Sequence, residues 1–151
     1  MNDLFSLANE LLIIKLSAPR VLIATVSGFI VGMSRERQGK PAGIKTNVLI
    51  SVGACLFAII AQVLAEQDKN NDLSRVIAQV VSGVGFLGAG TIFRAENRIY
   101  GLTSAAFVWV VAAIGILSGL GLCLMSLLLS IGSIFTIGLL NKLEVTKNSS
   151  D

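Results

Sequence analysis

The charged residues of this chain come in short clusters, and the stretches between the clusters are almost wholly apolar. Five such stretches are legible: Leu16–Ser34 (with Arg20 near its start), Val48–Ala65, Val76–Phe93, Leu102–Leu117 and Leu122–Leu140. RERQGKPAGIK, EQDKNNDLSR and RAENR separate the first four, and only SGLG separates the last two. At 1.5 Å per residue, about 16 to 20 residues reach roughly 24 to 30 Å, close to the thickness of a bilayer's hydrocarbon core. The apolar residues run continuously and do not alternate with polar ones, so helices are expected and strands are not. Composition agrees. Of 151 residues, 54% are hydrophobic and 14% are charged, where soluble domains carry roughly a quarter charged. So many apolar side chains could not be buried behind a wettable surface. The fold class read from the sequence is an all-α integral membrane protein of about five transmembrane helices.

The few charges set an expected topology. Arg35, Arg37, Lys40, Lys45, Arg94, Arg98, Lys142 and Lys147 fall on one side of a five-span arrangement, and Lys15, Arg20, Lys69 and Arg75 on the other. The richer side is expected in the cytoplasm, which puts the N-terminus outside and the C-terminus inside. Loop charges of this kind call for a lipid bilayer and no nucleic acid. Three segments are expected: an amphipathic N-terminal stretch 1–15, a membrane domain 16–140, and a short polar cytoplasmic tail 141–151. Leu4, Leu7, Leu11 and Ile14 recur at helical spacing ahead of Pro19. They fit an interfacial helix that turns at the proline. They fit equally a span that begins near Leu11 with Lys15 and Arg20 reaching toward the headgroups.

The chemistry-bearing residues are sparse. With no histidine, the commonest metal ligand and neutral-pH base are missing. Cys55 and Cys123 lie in apolar runs and read as packing residues. All nine acids (3, 10, 36, 66, 68, 72, 96, 144 and 151) lie outside the span interiors. A divalent-cation pathway normally needs carboxylates or stacked carbonyls. No metal site, no cofactor and no catalytic residues are therefore expected. The spans carry neutral polar groups, among them Gln62, Gln79, Ser82, Thr91, Thr103 and Ser104. Such groups either line a crevice or bond to helix carbonyls and join helices.

SGVGFLGAG (Ser82–Gly90) contains Gly83, Gly85 and Gly88 at dinucleotide-fingerprint spacing. The fingerprint needs a preceding strand and an acid about twenty residues on, a position that Val108 occupies here. The glycines instead suit close helix packing and a helix break near Gly88–Gly90. The third helix is thus expected to be the central, tightly packed one. Gly28/Gly32 and Gly115/Gly119 give GxxxG spacing on two further helices. RERQ (Arg35–Gln38) reads as a charged helix end. There Arg35 and Arg37 meet anionic headgroups, while Glu36 pairs with a basic neighbour. Thr103 or Ser104 is the expected N-cap of the fourth helix, and Trp109 is expected to pack between helices.

Three segments carry a family resemblance: ERQGKPAGIKTNVLISVGACLF, AQVVSGVGFLGAGTIFR and GLTSAAFVWVVAAIGILSGLG, in this order. Together they resemble the membrane domain of the MgtC/SapB family over roughly Gly32 to Gly121. The resemblance implies a five-helix bacterial inner-membrane protein that serves adaptation to low magnesium or stress as a regulator. It also implies a membrane partner, with the membrane subunits of ATP synthase as one candidate. The namesake branch adds a soluble ACT-like C-terminal domain. Here NKLEVTKNSSD follows Leu140, so a short form without that domain is expected. Carried over by position, the best candidates are Glu36, Arg37, the Ser82–Gly90 run, Arg94, Thr103 and Trp109; Gln38, Gln79 and Ser104 join them as partner or polar-site candidates from the residues themselves. The candidate packing residues are Gly28, Gly32, Gly83, Gly85, Gly88 and Gly90. Two function classes follow: a non-enzymatic regulator that binds through its helices, and a small-solute or ion transporter working as a homo-oligomer.

Overall fold

The computed structural model describes residues 7–67, 72–95 and 98–148. Asp3, Asp68, Lys69, Glu96 and Asp151 lie outside them, as does the start of the amphipathic segment. Each apolar stretch of the sequence corresponds to one helix: α1 (Leu7–Arg37), α2 (Ile44–Gln67), α3 (Leu73–Ala89), α4 (Leu102–Gly119) and α5 (Cys123–Asn148), with α3 ending four residues before its stretch does. Four of them (α1, α2, α4 and α5) are long and apolar enough to cross a membrane. The fifth, α3, has 17 residues, about 25 Å at helical rise. It begins beside the end of α2 and ends beside the start of α4, so it runs between the same two ends of the bundle. Helix α1 continues through Pro19, and α5 continues past Leu140 to Asn148.

One departure from the expected secondary structure follows α3. Phe93–Ala95 (β1) and Arg98–Tyr100 (β2) pair as an antiparallel hairpin, with Arg94 opposite Ile99. Phe93 stacks on Tyr100 with ring centroids 5.5 Å apart, an aromatic cross-strand pair of the kind that holds short ribbons. Gly101 then turns the chain into α4 with φ of 87°, and a Cβ there would overlap the Thr91 carbonyl. Gly101, not Thr103 or Ser104, is therefore the residue that caps α4. At the start of α3, Asp72 accepts a hydrogen bond from the Ser74 amide at 2.8 Å. The Ser74 side chain first, and this amide second, hold the Asp72 carboxyl below the usual carboxylate range by hydrogen bonding to it.

The centre of the bundle is α4, not α3. Ten α4 residues from Ser104 to Gly119 are buried, whereas α3 buries Val84 and Gly88. Glycine density misleads about α3 because it does not say which way the glycines face. Helix α2 lies between α1 and α4, with α3 against α2 and α4, and α5 against α1 and α4. Two glycine pairs permit this. On α1, a Cβ at Gly28 would sit 2.8 Å from the Asn47 carbonyl oxygen, and one at Gly32 would sit 2.6 Å from Ile44 Cα. On α4, a Cβ at Gly115 would overlap the Ser51 carbonyl, and one at Gly119 the Cys55 carbonyl. In lipid, apolar contact alone does not favour helix on helix over helix on acyl chain, so such close backbone approach is what drives association.

Polar groups tie the same helices together. Ser27 and Ser126 hydroxyls lie 3.1 Å apart between α1 and α5, and Ser118 of α4 donates to the Arg20 carbonyl at 2.7 Å. Arg20 Nη1 donates to Gln62 Oε1 of α2 at 2.7 Å and to the Gly119 carbonyl at 2.9 Å. Other hydroxyls bond within their own helix, as Thr25 to Val21, Ser130 to Leu127 and Thr136 to Gly132 do.

Two predictions follow from this packing. Gly115→Ala and Gly119→Ala should each destabilise the detergent-solubilised protein by roughly 1 to 3 kcal/mol, whereas Gly83→Ala, which meets open space, should be near neutral; denaturant titration of all three checks the contrast. A double-mutant cycle on Arg20→Met and Gln62→Leu should give a coupling of roughly 1.5 to 3 kcal/mol, the range for hydrogen bonds to charged groups, and additive effects would show that the pair contributes nothing.

Candidate functional site

At the end of the bundle where α1 finishes and α2 and α4 begin, the helix termini and the hairpin enclose a cavity of about 570 Å³. Arg35, Gln38 and Lys40 come to it from α1 and the turn after it, Tyr100 and Gly101 from the hairpin, and Thr103 and Ser104 from α4. This is the basic end: Arg35, Arg37, Lys40, Lys45, Arg94, Arg98 and Lys142 all belong to helix ends or connections here.

Arg35 governs the site. The buried face of α1 runs through Ala24, Ser27, Gly28, Val31 and Gly32, and Arg35 is its next position. The side chain is therefore carried inward, to 2% exposure, and not out to the headgroups. Its Nη2 donates to Ser104 Oγ at 2.7 Å, and its guanidinium lies 4.6 Å from the centre of the Phe107 ring. Nε has no hydrogen-bond partner. On α2, buried Asn47 uses Nδ2 to bond the carbonyls of Ala42 and Gly43. Its Oδ1 and the Ser51 hydroxyl are buried without partners.

The other sequence-derived candidates divide by position. Glu36 is exposed and accepts from the Ile44 amide at 2.9 Å, so it satisfies the start of α2 in place of a basic side chain. Gln38 is exposed, donates to Ser34 Oγ at 3.1 Å and borders the cavity. Thr103 and Ser104 join Arg35 at the cavity wall. Arg37 is exposed at the same end, and Arg94 lies on β1. Gln79 and Ser82 are exposed on α3, away from this cavity. Trp109 is 55% exposed on the outside of α4, which corrects its expected place between helices.

The glycines divide as well. Gly28 and Gly32 face α2, and Gly88 approaches Ala105 of α4, where a Cβ would stand 3.3 Å from the carbonyl oxygen. Gly90 follows the last turn of α3, where the Thr91 hydroxyl bonds the Gly88 carbonyl, so the helix ends where its glycines cluster. Gly83 and Gly85 have nothing within 4 Å of a built Cβ. Gly83 borders a second, apolar groove of about 540 Å³ between α2 and α3, with Leu49, Gly53, Phe57, Gln79 and Leu87. Among the described residues, no group of three His, Cys, Asp or Glu is placed to hold a metal ion.

Comparison with known proteins places the chain. YhiD of Escherichia coli K12, whose name offers magnesium transport as a candidate activity, is 45% identical over 68% of this chain and 50% of its own length. Protein SrpB of Synechococcus elongatus is 39% identical over 78% of the chain and 69% of its own. Protein MgtC of Brucella abortus is 40% identical over 66% of the chain and 40% of its own. The matched region thus spans half or less of YhiD and MgtC. No solved structure matches. The MgtC family model covers residues 21–146, which takes in α2 to α4 entirely, both arginines' partners and the cavity wall. The chain is a membrane protein of the MgtC family.

Proposed function

We propose that the chain is a non-enzymatic regulator of the bacterial inner membrane that acts by seating a helix of another membrane protein in the groove between α2 and α3. The observation that carries this reading is the open glycine surface. The glycines of α1 and α4 are consumed within the bundle, whereas Gly53 and Gly83, which border the groove, have nothing within 4 Å. Small residues beside Leu49, Phe57 and Leu87 form the kind of surface on which a second helix backbone packs closely. Binding of this kind needs no catalytic constellation, in keeping with a chain that has no histidine. By resemblance, the setting is magnesium limitation or stress, and the membrane subunits of ATP synthase are a candidate partner.

Transport of a small solute is the second reading, favoured by the polar cavity at the basic end and by the name that YhiD carries. For magnesium the wall has the wrong sign. Arg35 and Lys40 line it, and among the described residues no carboxylate does, while a divalent ion needs oxygen ligands to replace its water.

Two experiments separate the readings. A photo-crosslinker at Leu87 in cells should capture one membrane protein reproducibly. Gly83→Leu, at the groove and facing open space, should cut that capture about tenfold, the effect of a loss near 1.4 kcal/mol, with no change in expression or melting temperature, while Gly85→Leu, off the groove, should leave it unchanged. Capture undiminished by Gly83→Leu would remove the groove from the mechanism. Proteoliposomes carrying the protein should take up magnesium no faster than protein-free vesicles, and protein-dependent uptake would favour transport instead.

A further inference from the structure

We propose that the basic-end cavity is a binding site for a phosphoryl oxyanion. Three independent features converge on it. Arg35 lines the cavity at 2% exposure, with a single hydrogen bond to a neutral hydroxyl, one aromatic face and an unpartnered Nε. A buried cation is costly unless it is paired. Among the described residues the cavity wall offers it no carboxylate, because Glu36 on the next position is engaged with the Ile44 amide.

Lys40 adds a second cation, and Gln38 and Thr103 add neutral polar groups to the same wall. The N-terminus of α4, an 18-residue helix, borders the cavity at Gly101, Thr103 and Ser104, and Gly101 gives it no side-chain cap. Its first-turn amides and the positive end of its dipole suit an oxyanion. The planar guanidinium suits phosphate in particular, with an ammonium as a second point charge. A volume of about 570 Å³ lies in the range of small-molecule sites, so the phosphate is accommodated with a substituent attached. That chemistry has two sources at the end of a membrane bundle: an anionic phospholipid headgroup, and free phosphate or a phosphate ester.

The test uses the full chain, purified in neutral detergent and also reconstituted in nanodiscs. One arm titrates inorganic phosphate by calorimetry. The other measures, by native mass spectrometry, retention of phosphatidylglycerol over phosphatidylcholine from mixed nanodiscs. Lys40→Gln, an exposed position, and Arg35→Lys are compared with Lys15→Gln on the far part of α1. Phosphate binding that Lys40→Gln weakens about tenfold, and Lys15→Gln does not, supports the site with a soluble ligand. Selective phosphatidylglycerol retention with the same dependence supports it with a lipid ligand. Should Arg35→Lys fail to fold, the contrast between Lys40→Gln and Lys15→Gln decides the question. Absence of binding in both arms, or binding that Lys40→Gln and Lys15→Gln affect equally, overturns the proposal.

Discussion

The backbone of α2 is approached from two sides by helices that carry glycine where contact is closest, and the arrangement of the bundle depends on it. Gly28 and Gly32 of α1 meet Asn47, Val48 and Ile44, and Gly115 and Gly119 of α4 meet Ser51, Cys55 and Ala58. Water supplies no push here, since a lipid tail is as apolar as a leucine. Dispersion between closely spaced backbones, together with hydrogen bonds too costly to leave unmade in hydrocarbon, supplies the cohesion. The second ingredient depends on the first. Ser118 reaches the Arg20 carbonyl, and Arg35 reaches Ser104, because the helices are already close. With α1, α2 and α4 so joined, α3 and α5 lie on opposite sides of the trio and keep large apolar side chains such as Phe86 and Phe135 exposed to the surroundings.

Much of this was legible from charge spacing, and the reasons it stopped being legible are specific. A charged side chain is excluded from the middle of a span, so gaps between charges mark helices directly, and the five gaps correspond to five helices. Which helix is central does not follow from glycine count. Gly28 and Gly32 fall in register with Ala24, Ser27, Val31 and Arg35 on one face, and that register is the informative signal. Gly83 and Gly85, two residues apart, cannot share one narrow face of a helix. Arg35 was readable by the same rule: it continues the small-residue stripe by one turn, and its charge conceals that position. The hairpin is a different case, because three residues on each side are too few for alternation to declare itself. Once the hairpin exists, its return into α4 calls for a left-handed residue, which is why the cap falls to Gly101 and not to the hydroxyl residues beyond it.

The division of roles among polar residues bears on function. Among the described residues, the buried polar side chains of the bundle interior are serines, Asn47 and one arginine, and most of the serines serve helix contact or their own helix. Hydroxyls used in this way do not make a hydrated path. Among the features that remain unspent are the open glycines beside the α2–α3 groove and the unpartnered Nε of Arg35. They lie on different elements and differ in kind, one apolar and suited to a helix, the other cationic and suited to an anion. The proposed helix seat and the proposed anion site draw on these two separate features.

The two arginines of α1 have a mechanical consequence. Arg20 grips the last turn of α4 through the Gly119 carbonyl, and Arg35 grips its first turn through Ser104. The fifteen positions that separate them on α1 match the fifteen that separate their partners on the antiparallel α4, about 22 Å of helix in each case. A rod pinned to its neighbour at both ends cannot slide along it, since a shift of one turn would break both grips at once and strand two cations. Shear between α1 and α4 is therefore closed to this molecule as a way of changing shape. With α2 held between this pair by the glycine contacts, the rearrangements left open are those of the flanking helices, α3 and α5, swinging as bodies about a core that keeps its register.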